Sequence, residues 1–160
     1  MKILNTGGTL NKRYNKKSGE LEVAFDNNAI DQILQSLSYE VEIAGMIYKD
    51  SLEFTDDDRL QLASIIKADT SKVLVVVHGT DSINISAEIV SKVVDDRVIV
   101  FTGAMRPYEI DPTEASLNIG LALGFAASQP ANGVYICMSG IIAPHEQIRK
   151  NRSLGKFEVV

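Results

Sequence analysis

The sequence has few residues that cross-link chains or hold metals. It contains one cysteine, Cys137, and two histidines, His78 and His145. One cysteine excludes an internal disulfide, which favours a reducing, cytoplasmic location. The two histidines are far apart and have no cysteine beside them, so they form no recognisable metal site. We therefore expect no metal and no cofactor, with His78 hydrogen-bonded to backbone at a strand end, His145 exposed and Cys137 packed in the core.

Long apolar segments and concentrations of positive charge are also absent. No run approaches the roughly 20 apolar residues of a membrane span, and the first residues lack the apolar core of a secretory signal. The net charge is -5 and the pI is near 5.0, with lysines and arginines scattered along the chain. This disfavours nucleic-acid binding. We expect a single domain, residues 1–160, that acts on a small molecule, away from membranes and nucleic acids.

Short β-branched runs alternate with amphipathic segments along the chain. Runs such as VLVVV are typical of strands buried on both faces, and so of a parallel sheet covered by helices. The predicted strands are 2–5, 40–48, 72–77, 97–101 and 133–138. The predicted helices are 29–37, 56–68, 82–94 and 113–128, and the polar stretch 11–20 is predicted to be a solvated loop. The alternation predicts a doubly wound, mostly parallel α/β sheet of flavodoxin or Rossmann type.

Three turns with hydroxyl groups or glycines follow predicted strands: NTGGT, HGTDS and TGAMRP. The carboxyl ends of parallel strands share one edge, where ligands bind, so these turns can line one pocket. Each also has a simpler interpretation. TGGT can bind an anion or cap a helix, and Asp81 in HGTDS can cap the helix predicted at 82–94. TGGT is not followed by a Walker lysine, and the sequence has no G-x-G-x-x-G, which disfavours nucleotide binding.

Taken together, in this order and each at a strand end, the three turns closely resemble the signature of bacterial-type L-asparaginases. These amidohydrolases convert asparagine to aspartate and ammonia. The resemblance covers the whole chain and implies the fold of the family's larger N-terminal domain. It implies that Thr9 is the nucleophile and that Thr80, Asp81 and Lys150 form a Thr-Lys-Asp triad. We expect Thr6 to be a supporting hydrogen-bond partner rather than a second nucleophile.

The resemblance also implies further residues of the site. The implied substrate-binding residues are Ser51, Gly79, Thr80, Asp81 and Ala104. Tyr14 is implied as the tyrosine that assists the nucleophile. Leu52 departs from the family's pattern, which has a polar residue after the substrate-binding serine. That departure weakens the expected hold on the substrate's α-amino group, although Asp81 can still pair with it.

A threonine hydroxyl is a poor nucleophile at neutral pH until a neighbour accepts its proton. A lysine accepts a proton only as the neutral amine, whereas a nearby carboxylate favours the ammonium, so we expect a tuned, partly buried cluster. Attack on the side-chain amide would give an oxyanion held by backbone N–H groups near Thr80, followed by an acyl-threonine ester that water cleaves.

Two further functions remain open at this stage. One is a non-catalytic module that binds aspartate or asparagine, alone or with a partner domain. The other is amidotransfer on a larger substrate, as in the related archaeal glutamyl-tRNA amidotransferase subunit, which the acidic pI disfavours. The family's smaller C-terminal domain is not found in residues 1–160. We therefore expect a homo-oligomer, a dimer or larger, in which a second subunit covers the exposed face.

Overall fold

The β-branched runs form the centre of a six-stranded sheet in the computed structural model, which describes residues 1–160. The strands of this sheet are β1 (Lys2–Gly7), β4 (Glu42–Lys49), β5 (Val73–Val77), β6 (Val98–Thr102), β7 (Gly133–Met138) and β8 (Ile141–Pro144). Their spatial order is β4-β1-β5-β6-β7-β8. All neighbours are parallel except β7 and β8, which are antiparallel.

Four helices cover the two faces of the sheet: α1 (Asn28–Leu34), α2 (Asp56–Ala68), α3 (Ile83–Ser91) and α4 (Pro112–Ala127). Alternation along β5 explains the two layers. Leu74 and Val76 pack in one core cluster with α2 and α3, while Val75 and Val77 pack in the other with α1 and α4. Both faces of the strand are therefore buried, as the unbroken apolar run predicted. The predicted doubly wound α/β architecture is confirmed.

The acidic start of α2 illustrates how local sequence sets a helix boundary. Thr55 is the N-cap, and its side chain and that of Asp58 form a reciprocal capping box. Lys49, the last residue of β4, donates to both carboxylate oxygens of Asp58 at 2.8 Å. The end of β4 and the start of α2 are thereby tied together, and the loop between them, residues 50–55, is held at the sheet edge.

The order of strands creates a switch point between β1 and β5. From β1 the chain passes through α1 to β4 on one side, and then through α2 to β5 on the other. The segments that leave β1 and β5 diverge toward opposite faces. A crevice at the carboxyl ends of these two strands is where open α/β sheets bind ligands.

Two small hairpins were not predicted from the sequence. They are formed by β2 (Lys12–Asn15) with β3 (Glu20–Val23), and by β9 (Ile148–Asn151) with β10 (Lys156–Val159). The prediction of a loop over residues 11–20 is therefore wrong. Only its second strand, ELEV, alternates polar and apolar residues, and four residues are too few to identify a strand. The hairpin is held by its ladder and by Asn11, whose amide donates to the carbonyls of Ala24 and Asp26.

Candidate active site

The turn after β1 is fixed by a chain of side-chain hydrogen bonds. Tyr48 Oη and Asn5 Nδ2 both donate to Asn27 Oδ1, at 3.1 and 3.0 Å. Asn5 Oδ1 in turn accepts from the backbone N–H of Gly7 at 3.0 Å. The buried Asn5 thus links the β4 bulge at Tyr48 to the glycine turn.

The two hydroxyls around the glycine pair have different environments. Thr6 Oγ1 is buried and donates to the Val77 carbonyl at 2.9 Å, which joins β1 to β5. Thr9 is only partly buried and begins a short 3₁₀ turn, Thr9–Asn11. Its hydroxyl makes no hydrogen bond within the chain, unlike those of Thr6 and Thr80. The expectation that Thr6 is a supporting hydrogen-bond partner agrees with this geometry.

Glycines bring the turns after β1 and β5 into backbone contact. A Cβ built on Gly8, whose φ is +76°, would lie 2.5 Å from both Cα and N of Gly79. A Cβ built on Gly79 would lie 2.5 Å from Cβ of Ser51. Three segments from separate parts of the sequence therefore stack without room for a methyl group. Thr9 and Thr80 are the residues that follow this contact in each turn.

His78 is fully buried beneath this contact. Its Nδ1 lies 2.8 Å from the Gly79 carbonyl oxygen and its Nε2 lies 2.9 Å from Ser86 Oγ. Burial lowers the pKa of His78 to about 4, although the hydrogen bond to Gly79 opposes that shift. The predicted backbone hydrogen bond of His78 is confirmed. The neutral imidazole thus links the turn after β5 to Ser86 of α3 through these two hydrogen bonds.

The turn after β5 forms a cluster with Lys150 of β9. Lys150 Nζ donates to Thr80 Oγ1 at 2.8 Å and to Asp81 Oδ1 at 3.0 Å. The side chains of Lys150 and Asp81 are 14% and 21% exposed, so the pair is largely shielded from water. The β9–β10 hairpin carries Lys150 to this position because Ile148 and Phe157 anchor it in the core. Thr80, Asp81 and Lys150, predicted on distant parts of the chain, are thus in direct contact.

Ser51 is buried and bonded to the same turn. Its Oγ accepts from the backbone N–H of Asp81 at 3.1 Å, and its carbonyl accepts from Ser82 Oγ at 2.7 Å. In these bonds Ser51 orients the turn that carries Thr80 and Asp81. The next residue, Leu52, is 73% exposed.

Two further charged groups lie at this edge of the sheet. Lys12 Nζ is 2.5 Å from Asp50 Oδ2. Burial raises the pKa of Asp50, but the Leu52 backbone N–H and the Lys12 ammonium, with Lys150 nearby, hold it below its usual value overall. Asp50 is therefore an ionised, compensated carboxylate beside the cluster.

Arg152 is a residue of this site that the sequence patterns did not identify. Its Nη1 lies 2.7 Å from Asp81 Oδ1, the same oxygen that accepts from Lys150. The side chain of Arg152 is 68% exposed, on the turn that joins β9 to β10. Its position two residues after Lys150 was the available signal, but spacing alone does not show which carboxylate an arginine reaches.

The structure does not join Tyr14 to the Thr80 cluster. The residue is on β2, its side chain is 57% exposed, and its backbone N–H donates to Glu109 Oε2 at 2.7 Å. Ala104 follows β6 and is fully buried among apolar side chains. The backbone of the same turn is close to the site, because a Cβ on Gly103 would lie 2.3 Å from the His78 carbonyl oxygen.

The other reactive side chains do not gather into a site. Cys137 is fully buried, and burial raises the pKa of its thiol to about 12, as expected for a packing residue. His145 is partly buried rather than exposed, because its ring contacts Ser91 and the Val134 carbonyl. No group of three or more histidine, cysteine, aspartate or glutamate side chains is placed to hold a metal. None of the helices has the length and apolar character needed to cross a bilayer.

The fold and the cluster define a class of protein: a doubly wound α/β domain with a Thr-Lys-Asp cluster at the switch point of its sheet. The family of asparaginase N-terminal domains matches residues 1–156, and the chain belongs to this family.

Similar proteins include an amidotransferase component and a hydrolase. The chain is 31% identical over 147 residues to a glutamyl-tRNA(Gln) amidotransferase subunit of Methanococcus maripaludis, covering 86% of this chain and 34% of that protein. It is 25% identical over 160 residues to the glutaminase-asparaginase of Acinetobacter glutaminasificans, covering 92% of this chain and 48% of that protein. The chain thus spans about a third to a half of the length of these relatives.

Solved structures share the fold. The thermostable L-asparaginase from Thermococcus kodakarensis superimposes with a TM-score of 0.84 at 23% identity, over 100% of this chain and 51% of that one. A probable cytoplasmic L-asparaginase from Campylobacter jejuni gives 0.81 at 22% identity, over 99% of this chain and 52% of that one. At these identities the likeness establishes the architecture alone.

Proposed function

We propose that residues 1–160 form a single asparaginase N-terminal-type domain that hydrolyses the side-chain amide of L-asparagine, or of a related small amide, to the acid and ammonia. One observation carries the proposal: Lys150 Nζ donates to both Thr80 Oγ1 and Asp81 Oδ1, at 2.8 and 3.0 Å. A lysine in contact with a threonine hydroxyl and a carboxylate is an arrangement suited to moving a proton to and from an attacking group.

In this proposal Thr9 is the nucleophile. Its Oγ1 bonds to the amide carbon while its proton moves to Thr80 Oγ1, and the Thr80 hydroxyl proton moves to Lys150, which accepts it as the neutral amine. The resulting oxyanion would be held by backbone N–H groups of the Gly79–Thr80 turn. The proton returns to the leaving nitrogen, which departs as ammonia and leaves an ester on Thr9. Water then cleaves the ester, giving the acid and restoring the Thr9 hydroxyl. The unpartnered hydroxyl of Thr9 and the Gly8–Gly79 contact support this assignment.

Ammonia release from purified protein tests the proposal. The substrates are L-asparagine, L-glutamine and simpler amides, and the variants are Thr9→Ala, Thr80→Ala and Lys150→Met. Each substitution is expected to lower kcat/KM by about 100-fold or more, because groups that act in one proton relay contribute as a unit. Thr70→Ala, which alters an exposed threonine, is the matched control and should retain full activity. Unchanged turnover in both Thr9→Ala and Thr80→Ala would sink the mechanism.

An alternative is a module that binds an amino acid without hydrolysing it. The exposed Leu52 and the Arg152 contact to Asp81 favour it, since both reduce the polar groups open to a substrate. Thermal stabilisation by L-aspartate with no release of ammonia would support this function. Turnover by the chain would remove it.

Similarity to the amidotransferase component favours a second candidate, in which the amide is cleaved within a larger assembly. The net charge of -5 disfavours RNA contact by this chain itself, so a partner would have to supply that contact. Preference for L-glutamine over L-asparagine in the same assay would favour this candidate.

Self-association and a cytoplasmic location remain predictions. Phe25 and Leu52 are 81% and 73% exposed and line one cleft of about 440 Å³, which supports a covering partner such as a second copy. Molar mass measured by light scattering on the enzyme sample distinguishes a monomer from a dimer or larger form.

A further inference from the structure

Arg152 and Lys150 share a single oxygen of Asp81. Arg152 Nη1 lies 2.7 Å and Lys150 Nζ 3.0 Å from Asp81 Oδ1. When Lys150 is in its ammonium form, the form present before or after it serves as a proton acceptor, these three side chains carry two positive charges and one negative charge. The group beside the Thr80 hydroxyl therefore has a surplus of one positive charge, within a chain whose net charge is -5.

The neighbouring carboxylate does not restore the balance. Asp50 is paired with Lys12 at 2.5 Å, so this second ion pair adds no net charge. The Ser51 hydroxyl accepts from the Asp81 N–H, and the residue after it is the apolar Leu52. An ammonium group of a ligand bound beside Thr80 would contact Asp81 or Asp50, and both carboxylates already have cationic partners. A carboxylate of a ligand bound there would instead be attracted by the surplus positive charge of Lys150 and Arg152.

We propose that Arg152 is a specificity-determining residue that directs the site toward amides carrying a carboxylate but no α-ammonium group. Monoamides of dicarboxylic acids, such as succinamate, are the corresponding substrate class. The inference rests on the proposed function in taking the Thr80 cluster as the place where substrate binds. The 68% exposure of Arg152 places its guanidinium where a ligand entering from solvent can reach it.

Product binding isolates this effect, because succinate and L-aspartate differ only in the α-ammonium group. Isothermal titration calorimetry gives both dissociation constants for the unaltered chain, Arg152→Gln and Arg152→Lys. The unaltered chain is expected to bind succinate more tightly. Arg152→Gln should shift the ratio of the two constants toward L-aspartate by about fivefold, the upper range for an exposed charge pair, and Arg152→Lys should retain most of the preference. Lys156→Gln is the control, because it removes an exposed charge from the same hairpin and should leave the ratio unchanged.

A merely structural role for Arg152 would weaken both ligands equally, and an unchanged ratio in Arg152→Gln overturns the proposal. So does failure of the unaltered chain to bind either ligand. Ammonia release is measured on the same samples. If Arg152→Gln shifts the ratio of the two dissociation constants but no ammonia is released, the proposed function is contradicted and the role of Arg152 in ligand specificity is supported. Ammonia release with an unmoved ratio contradicts only the role of Arg152.

Discussion

Replacing Gly8 with alanine forces a methyl group into the contact between the turns after β1 and β5. The new Cβ would lie 2.5 Å from Cα and N of Gly79 and 2.9 Å from the His78 carbonyl carbon. All three are backbone atoms, so no flexible side chain can move aside. The backbone at Gly8 has φ 76° and ψ -175°, a region that is essentially confined to glycine.

Two costs therefore add in Gly8→Ala. Holding a non-glycine residue in that backbone region costs about 1–3 kcal/mol. Separating two packed backbones to accept the methyl group costs about another 1–3 kcal/mol. The loss of stability, about 2–6 kcal/mol, is smaller than most of the 5–15 kcal/mol range typical of native proteins, and activity is expressed per folded fraction as given by the unfolding curve. In that fraction the turns are pushed apart, and a displacement of about 1 Å at a reacting group costs about 100-fold in rate.

Urea unfolding and ammonia release measure the two effects. Gly19→Ala is the matched control, because Gly19 has nearly the same φ, +75°, but a Cβ there has nothing within 4 Å. Gly19→Ala is expected to show only the backbone cost and full activity. Equal unfolding free energies for the two variants would refute the packing argument. Unimpaired turnover in Gly8→Ala would refute the link between this contact and the site.

Two other predictions concern the supports of these turns. The unfolded chain binds a proton at His78 near pH 6.5, whereas the folded chain binds it only near pH 4, so the unfolding free energy should fall by about 3 kcal/mol as the pH decreases through that window. NMR titration of the folded chain measures the pKa of His78, and a value near 6.5 would contradict this prediction. Tyr48→Phe removes a hydrogen bond to Asn27 and should cost about 0.5–1.5 kcal/mol in urea unfolding, whereas Tyr39→Phe, at an exposed tyrosine, should cost almost nothing.

The main strands and helices could be predicted because their causes are local. The run at β5 is apolar at every position and the segment 56–68 begins with three aspartates, and both form as predicted. The helices predicted at 29–37 and 82–94 end earlier, at Leu34 and Ser91. Helix ends depend on how the last turn meets the rest of the fold, which periodicity does not report.

The position of the candidate site was predictable where strand ends determine it. Thr9 and Thr80 follow adjacent parallel strands, and Lys150 was found by resemblance to a family pattern rather than by its surroundings. The contact of Arg152 with Asp81 joins the turn of the β9–β10 hairpin to the turn after β5, and nothing in the local sequence encodes it. Tyr14 was assigned to the site by resemblance, on the expectation that residues 11–20 form a loop. The segment is instead a strand, whose hydrogen bonds hold Tyr14 in a hairpin.

The sequence left open why two threonines flank the glycine pair, since either hydroxyl could serve either purpose. Their surroundings separate them. Thr6 Oγ1 donates its hydrogen bond to the Val77 carbonyl, and this bond fixes the spacing of β1 and β5 beneath the turn. Freeing that hydroxyl for attack would leave a buried carbonyl without its partner, at a cost of about 1–3 kcal/mol. Thr9 follows the Gly8 contact. Its hydroxyl makes no hydrogen bond within the chain, and the residue is partly exposed. Thr6 therefore has a structural role, and in the proposed mechanism this favours Thr9 over Thr6 as the nucleophile.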